Sequence, residues 1–532
     1  MKDFKLLKVA VAVAVAAVGM NAHAAKTLRF CSEGSPEGFD PGQFTSGTTF
    51  DASAETIYNR LVQFERGGTH VEPGLAEKWE VSTDGLVYTF KLRKGVKFHT
   101  TDFFKPSRDF NADDVVFTFD RMVNKENPFR KAYATEFPYA TDMGMDDNLA
   151  KVEKVDDYTV KFTLKKVDAP FLQNMAMSFA SILSAEYADK LLKAGKPTEI
   201  NTAPIGTGPF IFKSYQKDSV IRYVANKNYW KKADLKLDGL VFSITSDAAV
   251  RAQKLKAGEC DVVAHPKPAD LAGLKEDAKL KIMSQSGFNL GYVSYNTTKK
   301  PLDNLMVRQA LDMAINKKAI LDAVYQGAGQ AATNPMPPTQ WSYNTTLKDA
   351  AYSPEKAKEL LKKAGVAEGT EVTLWALPVQ RPYNPNGKLM AEMIQADWKK
   401  IGINGKITTY EWGEYLKRGK AGEHDVILLG WTGDNGDPDN WLGTLLSCDA
   451  IGGNNYSRWC NKEFNDAVMK GKQVTDIKER TKLYMKAQEV FKKEVPFTTV
   501  AHSTVHVPMR KEVDGFKVSP FGLFSFYGVS LK

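Results

Sequence analysis

Cysteine is scarce in this chain, with four among 532 residues, at 31, 260, 448 and 460. No two of them form a CxxC pair, which argues against a Cys-only zinc site. Long apolar runs are missing after the first two dozen residues. No later stretch reaches eighteen apolar residues, so no transmembrane helix is expected there. Tandem repeats and low-complexity tracts are missing too. So are the common catalytic signatures: G-x-S-x-G, H-E-x-x-H, the P-loop lysine motif, and G-x-G-x-x-G opening a helix. A dense basic block interleaved with aromatics is also absent, which excludes the usual nucleic-acid footprint. The formal charge of +9 falls to about +7 once three lysines and one aspartate leave with the first 24 residues. Many lysines sit beside glutamate, as in "SPEKAKELLKKAG" (353 to 365), the pattern of a solvated helix face.

What is present describes an exported globular protein. Hydrophobic residues make up 43% and charged residues 25%, enough for a sizeable core. The length exceeds what one compact core accommodates, so two or more lobes are expected. "MKDFKLLK", "VAVAVAVAAVGM" and "NAHA" form a charged, apolar and small-residue series, the pattern of a secretory leader cleaved after Ala24. In an exported chain, four cysteines suggest two disulfides, and spacing alone leaves three pairings open. A Cys448–Cys460 bridge would close a short loop, worth about 3 kcal/mol in the chain-entropy treatment.

Strand punctuation dominates early. "GLAEKWEVSTDGLVYTFKLRKGVKFH" (74 to 99) alternates around Asp84-Gly85, and "KVEKVDDYTVKFTLKK" and "GPFIFKSYQKDSVIRYVAN" continue the theme. "NADDVVFTFDRMV" reads as a helix capped by Asn111. From about residue 286 the rhythm becomes βαβα, which predicts an α/β lobe with a largely parallel sheet. "FTTVAHSTVHVP" (497 to 508) reads as a return to the first lobe. His502 and His506, four apart on that strand, lie about 13 Å from one another. They are strand-face residues rather than a metal pair.

The stretch "LLGWTGDNGDPDNW" (428 to 441) sets three aspartates between two tryptophans at the end of an apolar strand. Calcium fits poorly: counted from Asp437, the loop lacks glycine at position six and has Cys448 where a bidentate Glu belongs. A strand's carboxyl end is instead where α/β sheets hold ligands. The stretch is then either a capped, solvated loop or a site where one aspartate faces a ligand cation, with the tryptophans as walls. "LWALPVQRPYNPNG" (374 to 387) offers the opposite charge, Arg381, on another strand-end loop.

"PGLAEKWEVSTDGLVYTFKLRKGVKFH", "NADDVVFTFDR", "PIGTGPF" and "VRQALDMAINKKAI" resemble the large extracytoplasmic solute-binding proteins (family 5) of peptide ABC importers. "FCSEGSPEGFDPGQFTSGTT", "LPVQRPYNPN", "YEWGEYLKR" and "GWTGDNGDPDN" carry a finer likeness to its dipeptide-capturing members. The likeness runs from Lys26 to about Val513, while the tail "FGLFSFYGVSLK" departs from it. It implies an α/β, two-lobed Venus-flytrap of the large peptide-binding type. Lobe I is discontinuous, residues 25–285 plus 504–532, with an extra subdomain at about 58–199; lobe II is 286–503. It implies that Asp434 grips a peptide's ammonium and Arg381 its carboxylate. Thr45, Ser46, Gly47 and Tyr139 would line the cleft, and the backbone of Thr432 and Gly433 would bond the peptide unit. Asp437 and Asp439 would then cap and stiffen their loop. The pairing implied is Cys31–Cys260 and Cys448–Cys460. A monomeric, periplasmic, non-catalytic protein without cofactor or metal follows. Its partners would be dipeptides, an inner-membrane permease and, as a further candidate, a chemoreceptor. The alternatives are the same fold holding haem, glutathione or an oligopeptide, and an exported peptidase. Haem would need an axial ligand such as Tyr139.

Overall fold

Alternating side chains and turn residues build the first strands where the pattern predicts them. Ala76–Val81 and Val87–Leu92 pair antiparallel around Asp84, whose carboxylate accepts from Ser82 Oγ and the Leu86 N–H. Thr159–Leu164 and Leu149–Asp156 extend this hairpin to four strands. The helix Ala112–Val123 begins at Asn111 with a reciprocal capping box: Asn111 accepts from the Asp113 N–H, and Asp114 accepts from the Asn111 N–H. Farther along that helix, Arg121 forks onto Asp40 at 2.6 and 2.8 Å with both side chains sealed from solvent. The computed structural model describes residues 26–532, and the leader expected at 1–24 lies outside them.

Two large hydrophobic cores flank a strand crossing. The first gathers Phe30, Phe242, Phe524 and Phe526 with the four-stranded sheet; the second gathers Val293, Trp398, Leu428 and Tyr484. Strand Leu280–Ser286 belongs with the first core's sheet, and Asn289–Tyr295 with the second's. The long strand Phe497–Arg510 pairs antiparallel with both, so it passes from one core to the other. Asn289 ties the crossing together. Its side chain donates to Ser503 Oγ at 2.9 Å and accepts the Ser503 N–H at 2.9 Å. His502 Nδ1 donates to the Asn289 carbonyl at 2.6 Å, and burial lowers the imidazole to about 4, keeping it neutral. His506 bonds Ser284 instead, so the two histidines serve separate strand contacts.

The second sheet is mixed rather than largely parallel. Ile403–Thr408, Thr370–Trp375 and Val426–Thr432 run parallel, joined by crossovers such as helix Gly387–Lys400. Asn289–Tyr295 opposes Val426–Thr432 and Phe497–Arg510. The reason is connectivity. A chain that enters and leaves through one crossing must run in opposite directions there.

Candidate functional site

A cavity of about 790 Å³ is lined from both sides of the crossing: Thr45, Gly47 and Tyr139 from the first, Arg381, Thr432, Gly433 and Asp434 from the second. Ser46 is not among its lining residues. It precedes the short helix Gly47–Ala52 and donates to Thr49 Oγ1 at 3.0 Å, holding Thr45 and Gly47 on either side.

Asp434 sits two residues beyond the strand Val426–Thr432, and its carboxylate is aimed by two elements. Tyr139 Oη donates to Oδ1 at 2.8 Å, while Asn440 Nδ2 donates to Oδ2 at 3.3 Å. The same Asn440 accepts the Asp434 N–H at 2.9 Å. Gly433 allows the turn that brings Asp434 there, because a Cβ would meet the Phe288 ring at 2.4 Å. The two tryptophans are not walls of the cavity. Trp441 is buried edge-on against Phe288, and Trp431 donates to Asn440 Oδ1 at 3.0 Å. Their large apolar faces are better buried in the second core than left at a solvated cleft.

The other two aspartates do more than stiffen the loop. Asp437 accepts the Asp439 N–H at 3.0 Å, as a local cap should, but it also forms a buried pair with Arg480 at 2.8 Å. Asp439 lies 3.5 Å from Lys472, and Asp168, from the other side of the cavity, lies 4.0 Å from the same ammonium. Burial pushes the Asp168 carboxyl up to about 7 against the pull of Lys472. Asn435 reaches across to Asn174 Oδ1 at 2.8 Å. Arg480 and Lys472 hold the Asp434 loop on the second core's helices, while Asn174 and Asp168 reach this region from the first core.

Arg381 is presented by a loop that closes on itself. Its backbone and that of Asn384 exchange two hydrogen bonds of 3.0 Å. Tyr383, between them, lies over Gly430, where a Cβ would stand 2.1 Å from the ring, and its carbonyl accepts from Tyr325 Oη at 2.7 Å. Burial pushes the Tyr383 phenol up to about 12, so it stays neutral. The guanidinium stacks 4.2 Å over Trp412, and among the described residues it has no carboxylate within ion-pair distance. Sequence reasoning missed Trp412, the orienting Asn440, and the tail residues Phe521 and Leu523 that line the cavity. Trp412 and Asn440 stand in the family-like motifs and Phe521 and Leu523 in the divergent tail, but no local pattern marks any of the four for a role.

The disulfides are Cys31–Cys260 and Cys448–Cys460, with Cα separations of 5.9 and 4.7 Å. Among the described residues, no helix is long and apolar enough to cross a membrane. The sequence profile of the bacterial extracellular solute-binding proteins, family 5 Middle, matches residues 70–453. The chain is 67% identical to di/tripeptide-binding protein 1 of Pseudomonas aeruginosa strain UCBPP-PA14, over 95% of this chain and 94% of that one. It is 66% identical to a dipeptide-binding protein of P. aeruginosa strain PAO1, over 96% and 95% respectively. A solved dipeptide-binding protein from Pseudoalteromonas sp. SM9913, in complex with Met-Leu, superposes with a TM-score of 0.86. That likeness is at 39% identity and covers 95% of this chain and all of that one.

Proposed function

The chain belongs to the bacterial extracellular solute-binding proteins of family 5, and from that premise we propose that it captures dipeptides by their charged termini and delivers them to a membrane ABC permease. The observation that carries this is one cavity holding both Asp434 and Arg381 on rigid supports. A dipeptide is a zwitterion, and stripping water from its termini costs several kcal/mol per charge unless each is paired. Asp434, oriented by Tyr139 and Asn440, meets the ammonium; Arg381 meets the carboxylate, with a fork suited to two hydrogen bonds. Thr45, Gly47, Thr432 and Gly433 lie where they can contact the peptide unit, and Ser46 braces the first pair. The names of the relatives above, dipeptide- and di/tripeptide-binding proteins, and the Met-Leu complex point the same way.

In this reading the lobes are residues 25–285 plus 504–532 and residues 286–503, hinged where the strands cross, with the extra subdomain at about 58–199. The protein works in the periplasm after losing its leader. It binds and does not cleave, so a dipeptide incubated with it is recovered intact by mass spectrometry. Haem is disfavoured as ligand because the Tyr139 hydroxyl is engaged with Asp434.

Two fixed charges make a ruler. Each further residue lengthens an extended peptide by about 3.3 to 3.6 Å, so a tripeptide held at Asp434 overshoots Arg381. Arg381→Ala and Asp434→Ala should each weaken dipeptide binding by about 3 to 5 kcal/mol, the cost of leaving a buried charge unpaired. Calorimetry with free, amidated and acetylated dipeptides tests the assignment. Arg381→Ala should discriminate less between acid and amide than the wild type does, and Asp434→Ala less between free and acetylated amine. Equal wild-type affinity for acid and amide would remove Arg381 as the anchor. Tripeptides bound as tightly as dipeptides would remove the ruler alone.

A further inference from the structure

The tail "FGLFSFYGVSLK" has no part in the clamp, yet it runs along the Asp434 end of the cavity. Phe524 and Phe526 turn inward onto Phe30, at ring distances of 4.7 and 5.2 Å. Their sequence neighbours Leu523, Ser525 and Tyr527 all line a second recess of about 60 Å³. Met177, Ser178, Asp434, Phe521 and Leu523 line both spaces, so the recess and the main cavity meet beside Asp434. The ligand's first Cα is bonded to the ammonium that Asp434 receives. Its side chain therefore starts at the mouth of this recess.

The recess walls set charged and hydroxyl side chains among apolar ones. Arg60 Nη1 pairs with Glu55 Oε1 at 2.8 Å, both nearly buried. Arg60 Nε and Ser525 Oγ, however, are buried without a hydrogen-bond partner among the described residues. The guanidinium nitrogen can only donate, and the serine hydroxyl can donate or accept. A buried donor left unsatisfied is costly, so a ligand atom that satisfies it gains affinity. With Asp434 engaged by the ammonium, Arg60, Arg66 and Lys517 outnumber Glu55 and Glu65 around the recess. The complement is an oxygen acceptor.

We infer that the tail-lined recess takes the side chain of the ligand's first residue, and favours glutamine or glutamate over an apolar side chain of similar length. This rests on the dipeptide reading above. Calorimetry on Gln-Ala, Glu-Ala, Met-Ala, Ala-Gln and Ala-Met tests it, with wild type, Ser525→Ala and Ser525→Leu. Wild type should bind Gln-Ala and Glu-Ala about tenfold tighter than Met-Ala, the range for a hydrogen bond to a charged donor. Ser525→Ala should reduce that preference about fivefold and leave Met-Ala and Ala-Gln unchanged. Ser525→Leu, which fills the recess, should weaken every ligand with a long first side chain and spare Ala-Gln and Ala-Met. Melting curves that match wild type confirm both variants are folded. Equal wild-type binding of Gln-Ala and Met-Ala overturns the inference while leaving the dipeptide reading standing. So does a Ser525→Ala loss shared by all five ligands, or a preference that follows the second residue. Binding of none of the five overturns both.

Discussion

Tyr139 and Asp434 stand 295 positions apart in sequence and 2.8 Å apart in space. The phenol holds one carboxylate oxygen in a fixed direction, so under the proposed function the anion is oriented before the peptide ammonium arrives; pre-organisation of this kind lowers the ordering cost of binding. Tyr139→Phe keeps the ring, which stacks 5.6 Å from Phe179, and removes only the hydroxyl. Dipeptide affinity should fall by about 1 kcal/mol, the net worth of one such hydrogen bond, with little change in melting temperature. Calorimetry beside a thermal melt separates the two. A large loss of stability with unchanged affinity would make the hydroxyl a structural group and not an orienting one.

At the scale of elements, the loop 434–438 is held by charges contributed from two helices and from the opposite core. Lys472 lies in helix Lys462–Gln473, Asp439 opens helix Asp439–Leu446, and Asp168 precedes helix Phe171–Met175. The Lys472 pKa is raised, chiefly by Asp439. Asp168 is raised to about 7, chiefly by burial, with Asp439 and Asp437 adding to it and Lys472 opposing. A carboxyl raised on folding binds protons more tightly in the native state. Its contribution to stability is therefore full below about pH 4 and is lost as pH rises to about 7. Asp168→Asn removes that titration while keeping the shape. The variant should gain about 3 kcal/mol on wild type between pH 4 and pH 7. Denaturant unfolding at a series of pH values reads this directly, and parallel profiles for the two proteins would contradict it.

For the whole molecule, the crossing at Ser286–Asn289 and Ser503–Thr504 is narrow and hydrogen-bonded, with a large core on each side. Few backbone angles need change for one core to rotate toward the other, the usual condition for hinge closure. Small-angle scattering should show a smaller radius of gyration with saturating dipeptide than without. The Asp434→Ala protein should need more ligand to reach the same compact state. An unchanged radius at saturation counts against closure.

Much of this was legible in the sequence because it is local. Alternation around Asp84-Gly85, the cap at Asn111 and the two oppositely charged strand-end loops are encoded within about a dozen residues each, where period and turn chemistry act. Family resemblance supplied the disulfide partners, which spacing alone left open, and it is also the source of the roles proposed for Asp434 and Arg381. Tertiary structure decided what depends on chain segments meeting. The second sheet is mixed because the chain enters and leaves by one crossing. Of the tryptophans beside Asp434, Trp441 is buried in the core and Trp431 packs partly buried against it, since burial of an indole outweighs its nearness in sequence to a polar loop. Asp437 finds Arg480 and Asp168 finds Lys472 across long separations, and only packing sets the burial that moves a carboxyl to about 7. The tail reaches the cavity because its phenylalanines are drawn to Phe30, five hundred residues earlier. Periodicity reports which face of a segment is apolar; which distant surface that face will cover is settled by the fold.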